Sequence, residues 1–275
     1  MTYKMDYIYQ SISKKNGSLL RGVINTPDDF DTSKKYPAVI FYHGFGGDRN
    51  GRSFFRSQNA KYLTDRGYIC VRFDFEGSGE SDGSFYDMTV SREEEDAMMV
   101  YDFTKIKSFV DKERIYILGH SLGGVIASLI GSKTKAKKMC LLAPASDMNN
   151  RDYLKVMAQS LFLEKFEKLK SEDEPSIREV LSDIEDLDIG GLRLHKNFLI
   201  DFFKKDVYKS ARAYKGKVLI LRGDADELVF DDSNVKLNQA FSNSRYELIR
   251  GADHDFTNLK IRKEVFEKMY RFFEA

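Results

Sequence analysis

The chain has 275 residues, of which 42% are hydrophobic and 32% charged, with 44 Lys and Arg against 43 Asp and Glu. This composition is ordinary for a globular protein with its own core, and a net charge of +1 argues against a nucleic-acid partner, because phosphate binding calls for a basic excess. The first ten residues lack the apolar stretch of a signal peptide, and no run of about 18 apolar residues predicts a membrane span. We therefore expect a cytoplasmic protein without a membrane partner.

The predicted elements begin with a β-hairpin. Residues 7–13 and 19–25 alternate in polarity and flank Asn16-Gly17, a dipeptide that favours a tight turn with positive φ at both central positions. Continuous apolar runs, typical of strands covered by helices on both faces, follow at 38–42, 68–73, 115–118, 139–142 and 218–221. Cys70 and Cys140 lie in two of these runs, so we expect both in the core and no disulfide.

Stretches with helical periodicity separate the apolar runs. The clearest covers 91–110, where Ser91 is predicted to cap the helix and Glu94 completes a capping box. Shorter helices are predicted at 122–131 and 261–273. The buried face of the first helix is predicted at Ala97, Val100, Tyr101 and Thr104. Strands that alternate with helices predict an α/β fold with a mostly parallel central sheet, which binds ligands at the carboxyl ends of its strands.

Residues 145–213 interrupt this alternation. They lack a clear buried strand and are rich in charge and helix formers, with helices predicted at 161–170 and 176–188. Since the segment is too long for a plain loop, we interpret it as a helical lid inserted between two parts of one core, 1–144 and 214–275. Ordinary surface helices without contact to the substrate are the alternative.

A nucleophile is predicted at Ser121. Gly119-His120-Ser121-Leu122-Gly123 matches G-x-S-x-G, follows the predicted strand at 115–118 and precedes a predicted helix. In that context the serine lies on a strained strand-to-helix turn, and the glycines keep Cβ atoms out of it. The alternative is a glycine-rich structural turn with an inert serine.

A second glycine-rich loop, His43-Gly44-Phe45-Gly46-Gly47, directly follows the predicted strand at 38–42. It resembles the loop that supplies a backbone N–H to the oxyanion in α/β-hydrolases. We assign one donor to Phe45 and the second to Leu122, the residue after the nucleophile. A loop that needs glycine only for its geometry is the alternative.

The acid and base of a triad follow later in the chain. Two aspartates, Asp224 and Asp226, come after the strand predicted at 218–221, and residues alone leave the choice between them open. In the α/β-hydrolase order of Ser, acid and His, His254 is the histidine that follows these aspartates; it comes after a strand predicted at 246–249. The other histidines are interpreted as loop-packing or surface residues: His43, His120 and His195.

Residues 74–81 are glycine-rich but lack the Lys-Ser/Thr of a phosphate-binding loop and do not lead straight into a helix. We interpret them as a turn that supports the fold beside the site. Ligands at a spacing suitable for a metal are missing from the sequence, so neither a metal nor another cofactor is predicted.

Most of the chain outside the predicted insertion resembles the bacterial cinnamoyl (feruloyl) esterases of the α/β-hydrolase superfamily. The residues that carry the resemblance are 43–51, 72–83, 88–90, 119–124, 141–145 and 251–254. The family pattern G-x-x-D-x-x-V matches Gly223, Asp226 and Val229, which selects Asp226 as the triad acid. Leu122 stands where relatives often carry Gln, but only its backbone N–H is needed.

The resemblance implies hydrolysis of hydroxycinnamate esters, such as ferulate esters, with the inserted segment forming part of the pocket. Asp152 and Arg193 are the predicted substrate contacts there, although Leu192 to Leu194 follow Gly190-Gly191 where an aromatic residue is expected. A thioesterase, a monoacylglycerol lipase or a peptidase would use the same triad, and a ligand-binding protein without turnover is a further alternative. The partner is predicted to be a small-molecule ester, and the oligomeric state is left open, a homodimer included.

Overall fold

A computed structural model describes residues 7–147, 185–189 and 191–275 of the chain. The strands of this part are β1 (Tyr7–Ser13), β2 (Leu19–Asn25), β3 (Tyr36–Tyr42), β4 (Ile69–Phe73), β5 (Val110–His120), β6 (Lys138–Leu142), β7 (Asp186–Ile189), β8 (Leu192–His195), β9 (Lys217–Gly223) and β10 (Ser244–Ile249). The helices are α1 (Phe55–Thr64), α2 (Val90–Lys105), α3 (Leu122–Ile130), α4 (Asn197–Phe202), α5 (Val207–Ala213), α6 (Asp231–Ala240) and α7 (Leu259–Glu274). Within the described ranges, no helix combines the length and the apolar character needed to cross a membrane.

Eight strands form one sheet in the order β1-β2-β4-β3-β5-β6-β9-β10. Strand β2 runs antiparallel to both neighbours, β1 and β4. The remaining neighbours in this sheet, in the order β4-β3-β5-β6-β9-β10, pair in parallel. Alternate residues of β3 enter two separate apolar clusters, Ile40 on one face of the sheet and Val39 on the other. Helices α2 and α3 contribute to the first cluster, and α1 and α7 to the second. The continuous apolar runs therefore become strands covered on both faces, which confirms the predicted α/β fold.

The first hairpin has the predicted strands but not the predicted turn. Only Gly17 has positive φ, at 89°, so the turn differs from the two-residue form with two such positions. Two hydrogen bonds close the loop: the Lys14 N–H donates to the Ser18 carbonyl at 2.9 Å, and the Gly17 N–H donates to the Lys14 carbonyl at 3.0 Å. This is the three-residue hairpin loop in which a turn is followed by a left-handed glycine.

Helix α2 begins earlier and ends earlier than predicted. Thr89, not Ser91, is its cap, because the Thr89 side chain accepts the N–H of Arg92 at 3.2 Å. The helix ends at Lys105, and Val110 already belongs to β5, where it pairs with Tyr36. Its predicted buried face is confirmed: Ala97, Val100, Tyr101 and Thr104 are at most 2% exposed.

The described end of the predicted insertion contains a small hairpin. Strands β7 and β8 form a two-stranded antiparallel sheet in which Leu187 pairs with Leu194, and both side chains are buried. The helix predicted at 176–188 is therefore wrong over its last three residues, which are extended. Alternation on either side of Gly190-Gly191 is the hairpin signal that the sequence offered. The helix predicted at 161–170 lies outside the described residues, and the lid and its boundaries stay a prediction.

Helix α4 is tied to the first turn of α2 by polar contacts. The Asp201 carboxylate accepts the backbone N–H of Ser91 at 2.7 Å and its hydroxyl at 2.8 Å. Lys205 donates to the Ser91 hydroxyl at 2.7 Å and to Glu94 at 2.6 Å. The negative Asp201 thereby satisfies a free N–H at the positive end of α2, which anchors α4 to α2.

We expect Asp201→Ala to lower the free energy of unfolding by about 1 kcal/mol, the usual effect of losing a helix cap. Asp201→Asn keeps an oxygen that can accept the Ser91 N–H, so its loss should be smaller. Urea unfolding of both variants beside the wild type measures the difference. Equal losses for the two substitutions would contradict a capping role.

Candidate active site

Ser121 lies on a sharp turn between β5 and α3. Its backbone has φ 54° and ψ −120°, a combination that residues other than glycine rarely adopt. The Ser121 N–H donates to the carbonyl of Leu142 at 2.8 Å. The flanking glycines have no room for a side chain. A Cβ on Gly119 would lie 2.4 Å from the carbonyl oxygen of Gly123, and a Cβ on Gly123 would lie 2.2 Å from that of Tyr42. The turn thus has the shape predicted from G-x-S-x-G.

The strain at Ser121 predicts a stability difference between two substitutions. Ser121→Gly removes the Cβ from a backbone conformation that costs about 1–3 kcal/mol, and the greater freedom of unfolded glycine offsets about 0.5–1 kcal/mol. We expect Ser121→Gly to be more stable than Ser121→Ala by about 1 kcal/mol, since alanine keeps the Cβ. Denaturant unfolding of the two variants measures this, and a less stable glycine variant would contradict it.

The loop after β3 lies against this serine. A Cβ on Gly44 would be 3.0 Å from the Ser121 Cβ, and the Gly47 N–H closes the loop on the Gly44 carbonyl at 3.1 Å. Among the described residues, neither the Phe45 N–H nor the Leu122 N–H has an acceptor. Leu122 is the first residue of α3, where a free N–H is expected. Both predicted oxyanion donors are thus available for a ligand.

Asp226 and His254 form a hydrogen-bonded pair, with 2.9 Å between Oδ2 and Nδ1. The other oxygen of this buried carboxylate accepts the N–H groups of Leu228 and Val229 at 2.8 and 3.0 Å. Asp224, the competing aspartate, instead accepts the N–H of Gly251 at 2.5 Å. A carboxylate on Nδ1 fixes that nitrogen as the donor, which leaves Nε2 as the acceptor of His254.

The charge of Asp226 depends on this pairing. Burial by itself raises the pKa of the Asp226 carboxyl, but the hydrogen bond and charge of His254, with the two backbone N–H groups, outweigh burial and hold the pKa below its ordinary value. Asp226 is therefore ionised near neutral pH, where it can stabilise a protonated His254.

A lowered pKa in the folded state links Asp226 to stability at acid pH. Its contribution is complete above the pKa of an unfolded aspartate, about 3.9, and is lost as the pH falls through the lower folded value. We expect the stability gap between wild type and Asp226→Asn to be constant from pH 7 to 5 and to shrink below about pH 4. Urea unfolding across this range measures it. A gap that widens on acidification would contradict the assignment.

His43 supports the loop after β3. Its Nε2 accepts the N–H of Phe75 at 3.0 Å and its Nδ1 donates to the carbonyl of Gly44 at 2.9 Å. Burial, followed by the charge of Arg56, lowers the pKa of His43 to about 4, so the ring is neutral. This agrees with its interpretation as a loop-packing residue.

Comparisons with known proteins agree with the predicted fold. The family model Hydrolase_4, described as "Serine aminopeptidase, S33", matches residues 33–258. The chain belongs to this family. It is thus a hydrolase of the α/β-hydrolase fold.

Individual relatives cover different shares of this hydrolase. "Lysophosphatidylserine lipase ABHD12" from Xenopus tropicalis is 38% identical over 99 residues, which are 36% of this chain and only 24% of the lipase. The structure "Ferulic Acid bound to Est1E from Butyrivibrio proteoclasticus" superimposes with a TM-score of 0.76 at 23% identity, covering 98% of this chain and 100% of the other. The α/β hydrolase GrgF from Penicillium sp. sh18 gives 0.74 at 13% identity, with 98% of each chain covered. At these identities the two structures show the fold alone, and in fold they bear out the resemblance to the cinnamoyl esterases.

The loop at 74–81 is hydrogen-bonded to the segment that follows the Phe45 loop. The buried Asp74 carboxylate accepts the backbone N–H of Arg49 at 2.6 Å and that of Glu80 at 3.0 Å, and it also pairs with the Arg49 guanidinium. Since Arg49 follows the loop that carries Phe45, this agrees with the interpretation of a supporting turn.

Aromatic side chains surround Phe45. Its ring centroid lies 5.5 Å from that of Phe85 and 5.1 Å from that of Phe198, which in turn is 6.2 Å from Phe202. Phe198 and Phe202 come from α4, the described end of the predicted insertion. Neither phenylalanine was predicted from the sequence, because the resemblance places the expected aromatic residue directly after Gly190-Gly191. The four rings form an aromatic cluster in which Phe198 and Phe202 are buried, whereas Phe85 and Phe45, the residue of one predicted oxyanion donor, are half-buried.

In the described part of the chain, neither of the two predicted substrate contacts, Asp152 and Arg193, is seen beside the triad. Arg193 is 72% exposed at its side chain, pairs with Asp186 across the small hairpin and lies 5.5 Å above the ring of Tyr86. Asp152 lies outside the described residues. His195 contacts the same tyrosine, with ring centroids 5.4 Å apart. Over 7–147, 185–189 and 191–275, no group of three or more His, Cys, Asp or Glu is arranged to hold a metal.

Proposed function

We propose that this hydrolase cleaves carboxylic esters, with Ser121 as nucleophile, His254 as general base and Asp226 as the acid that orients it. The hydrogen bond between His254 Nδ1 and the buried Asp226 carboxylate carries the proposal. It fixes the tautomer in which Nε2 can accept a proton, as the general base of a Ser-His-Asp triad requires.

In the first half of the reaction, Ser121 Oγ attacks the ester carbonyl while His254 Nε2 takes the hydroxyl proton. The C–O bond to the alcohol breaks, and His254 returns the proton to the departing alcohol. In the second half, water gives a proton to His254 and attacks the acyl-enzyme, which releases the carboxylic acid and restores the Ser121 hydroxyl. Asp226 stays ionised and stabilises the imidazolium in both halves.

The free N–H groups of Phe45 and Leu122 are the proposed oxyanion donors. Both lie beside Ser121, one on the loop after β3 and the other at the start of α3. Removal of one such donor typically costs about 2.7–4 kcal/mol of transition-state stabilisation. No cofactor is needed for this chemistry.

We propose small aromatic acyl groups, such as ferulate, as the preferred substrates, with short acyl groups next. The half-buried rings of Phe45 and Phe85 support this, because flat rings pack well in edge-to-face or offset contacts with other rings. The ferulic acid named for the Butyrivibrio structure is in keeping with such a pocket. A cytoplasmic location and a small-molecule partner remain part of the proposal.

A lysophospholipid lipase is the second candidate, favoured by the 38% identity to the frog lipase over 99 residues. A peptidase is suggested by the description of the family, and a thioesterase would use the same triad. A binding protein without turnover would have no use for the Asp226–His254 pair.

The test compares kcat/KM for methyl ferulate, p-nitrophenyl butyrate, lysophosphatidylserine and an aminoacyl p-nitroanilide, each with wild type and Ser121→Ala. We expect the highest value for methyl ferulate. Preference for lysophosphatidylserine or the anilide would replace the ester proposal by the corresponding alternative. No Ser121-dependent turnover of any of them would reject the assignment as a serine hydrolase.

A further inference from the structure

A buried arginine on α1 lies behind the proposed triad. Arg56 is 5% exposed, and within the described residues no carboxylate lies within 4.0 Å of its guanidinium. A buried cation without a close ion pair is costly, so its retention calls for a function of its own. We propose that Arg56, acting through His120, is a positioning residue for His254; this inference rests on the proposed function.

The contacts run in one direction from the arginine to the histidine. Arg56 Nη1 lies 3.2 Å from His120 Nδ1, and His120 Nε2 lies 2.9 Å from the backbone carbonyl oxygen of His254. A carbonyl oxygen only accepts, so the proton of His120 is on Nε2, and Nδ1 is left to accept from Arg56. Arg56 thus selects the tautomer of His120 that holds the His254 backbone.

His120 can play this part only as a neutral ring. Burial, followed by the charges of His254 and Arg56, holds the pKa of His120 well below its ordinary value. Burial also lowers the pKa of Arg56, to about 10, against the opposing charges of Asp48 and Asp255, so the guanidinium remains a donor at neutral pH. At neutral pH, Arg56 therefore donates to His120 Nδ1, and His120 Nε2 donates to the His254 carbonyl.

The same guanidinium contacts the loop that carries Phe45. Arg56 Nε donates to the carbonyl of Asp48 at 2.9 Å, and a Cβ on Gly47 would lie only 3.1 Å from Arg56 Nη2. The arginine therefore joins the oxyanion loop, the residue before the nucleophile and the loop of the general base. A displacement of about 1 Å in such a constellation can lower the rate about 10²-fold.

The first experiment compares two substitutions of His120. The amide of His120→Gln offers an oxygen to Arg56 and an N–H to the His254 carbonyl, whereas His120→Phe keeps a ring but offers neither. We expect His120→Phe to lower kcat about 10²-fold with little change in KM, and His120→Gln to restore much of the loss. The rate of Ser121 labelling by a fluorophosphonate should fall in parallel, and this readout needs no knowledge of the substrate.

The second experiment compares Arg56 with Arg52. Arg56 acts on the loop of His254 through His120, whereas Arg52 contacts a residue of that loop directly. Arg52 pairs with Asp255 from the solvent side at 3.2 Å and is 74% exposed, so Arg52→Met should leave kcat unchanged. Arg56→Met should lower kcat at least as much as His120→Phe, because it also loses the contact with the loop that carries Phe45. The effects should not add in the double variant, because both residues act along one path. If Arg56→Met does not fold, the His120 pair decides.

The outcomes separate this inference from the proposed function. A wild type that the fluorophosphonate does not label, or a Ser121→Ala variant that it does label, overturns the proposed function and the positioning role with it. With Ser121-dependent labelling intact, wild-type kcat in His120→Phe, equal losses in His120→Gln and His120→Phe, or additive effects of Arg56→Met would overturn the positioning role alone.

Discussion

Replacing Ser121 with alanine is expected to lower kcat by about 10⁶-fold, to the level that binding and the oxyanion donors sustain without a nucleophile. The reason is that no acyl-enzyme can form, and His254 is left without the hydroxyl proton that it accepts. The fold should survive, because alanine tolerates the φ of 54° no worse than serine does.

The measurement is kcat on the best ester substrate, with fluorophosphonate labelling as a second readout. Ser128 provides a matched control, since it is buried in α3, the helix that follows Ser121, and its hydroxyl donates to the Gly124 carbonyl at 2.8 Å. Ser128→Ala should keep wild-type kcat. Turnover in Ser121→Ala within tenfold of wild type would show that another group is the nucleophile.

The second large effect is expected for Asp226→Asn, with kcat lower by about 10⁴-fold. An asparagine keeps the size of the side chain but can present an N–H to His254 Nδ1. The ring would then carry its proton on Nε2, the nitrogen that has to accept the proton of Ser121. The loss of the negative charge also removes the stabilisation of the imidazolium.

Asp224→Asn is the control, because this aspartate lies two residues away in the same loop and accepts the N–H of Gly251 rather than bonding a histidine. Its kcat should remain close to the wild-type value. If the two substitutions had equal effects, or if Asp224→Asn had the larger one, the acid of the triad would be misassigned.

The sequence predicted the parts of this molecule that depend on neighbouring residues. Strands β1 and β2 have the predicted bounds, and the apolar runs became buried strands of one parallel array. The turn at Ser121 followed from glycines two positions away on either side, since only their missing Cβ atoms allow the close approach of the backbone.

Two predictions were wrong because residues outside the predicted element decide its structure. Ser91 has the chemistry of a cap, but it lies inside α2 because Thr89 takes that role and Asp201 of α4 binds Ser91. The end of the predicted helix at 176–188 became strand β7 because pairing with β8 buries Leu187. The alternation on either side of Gly190-Gly191 indicates this hairpin, but the prediction followed the charge and helix formers of the segment instead.

The sequence by itself determined the nucleophile turn, the glycine loop after β3 and a short choice of acid and base, since each depends on a few consecutive residues. Only the tertiary structure placed Phe198 of α4 beside Phe45 and joined Arg56 through His120 to the His254 loop. It also shows the hydrogen bond between His254 and Asp226, the aspartate that the family pattern selects. The physical reason is the strand order. Because β3 lies next to β5, the loop after β3, the following helix and the nucleophile meet at one edge, although 64 residues separate Arg56 from His120.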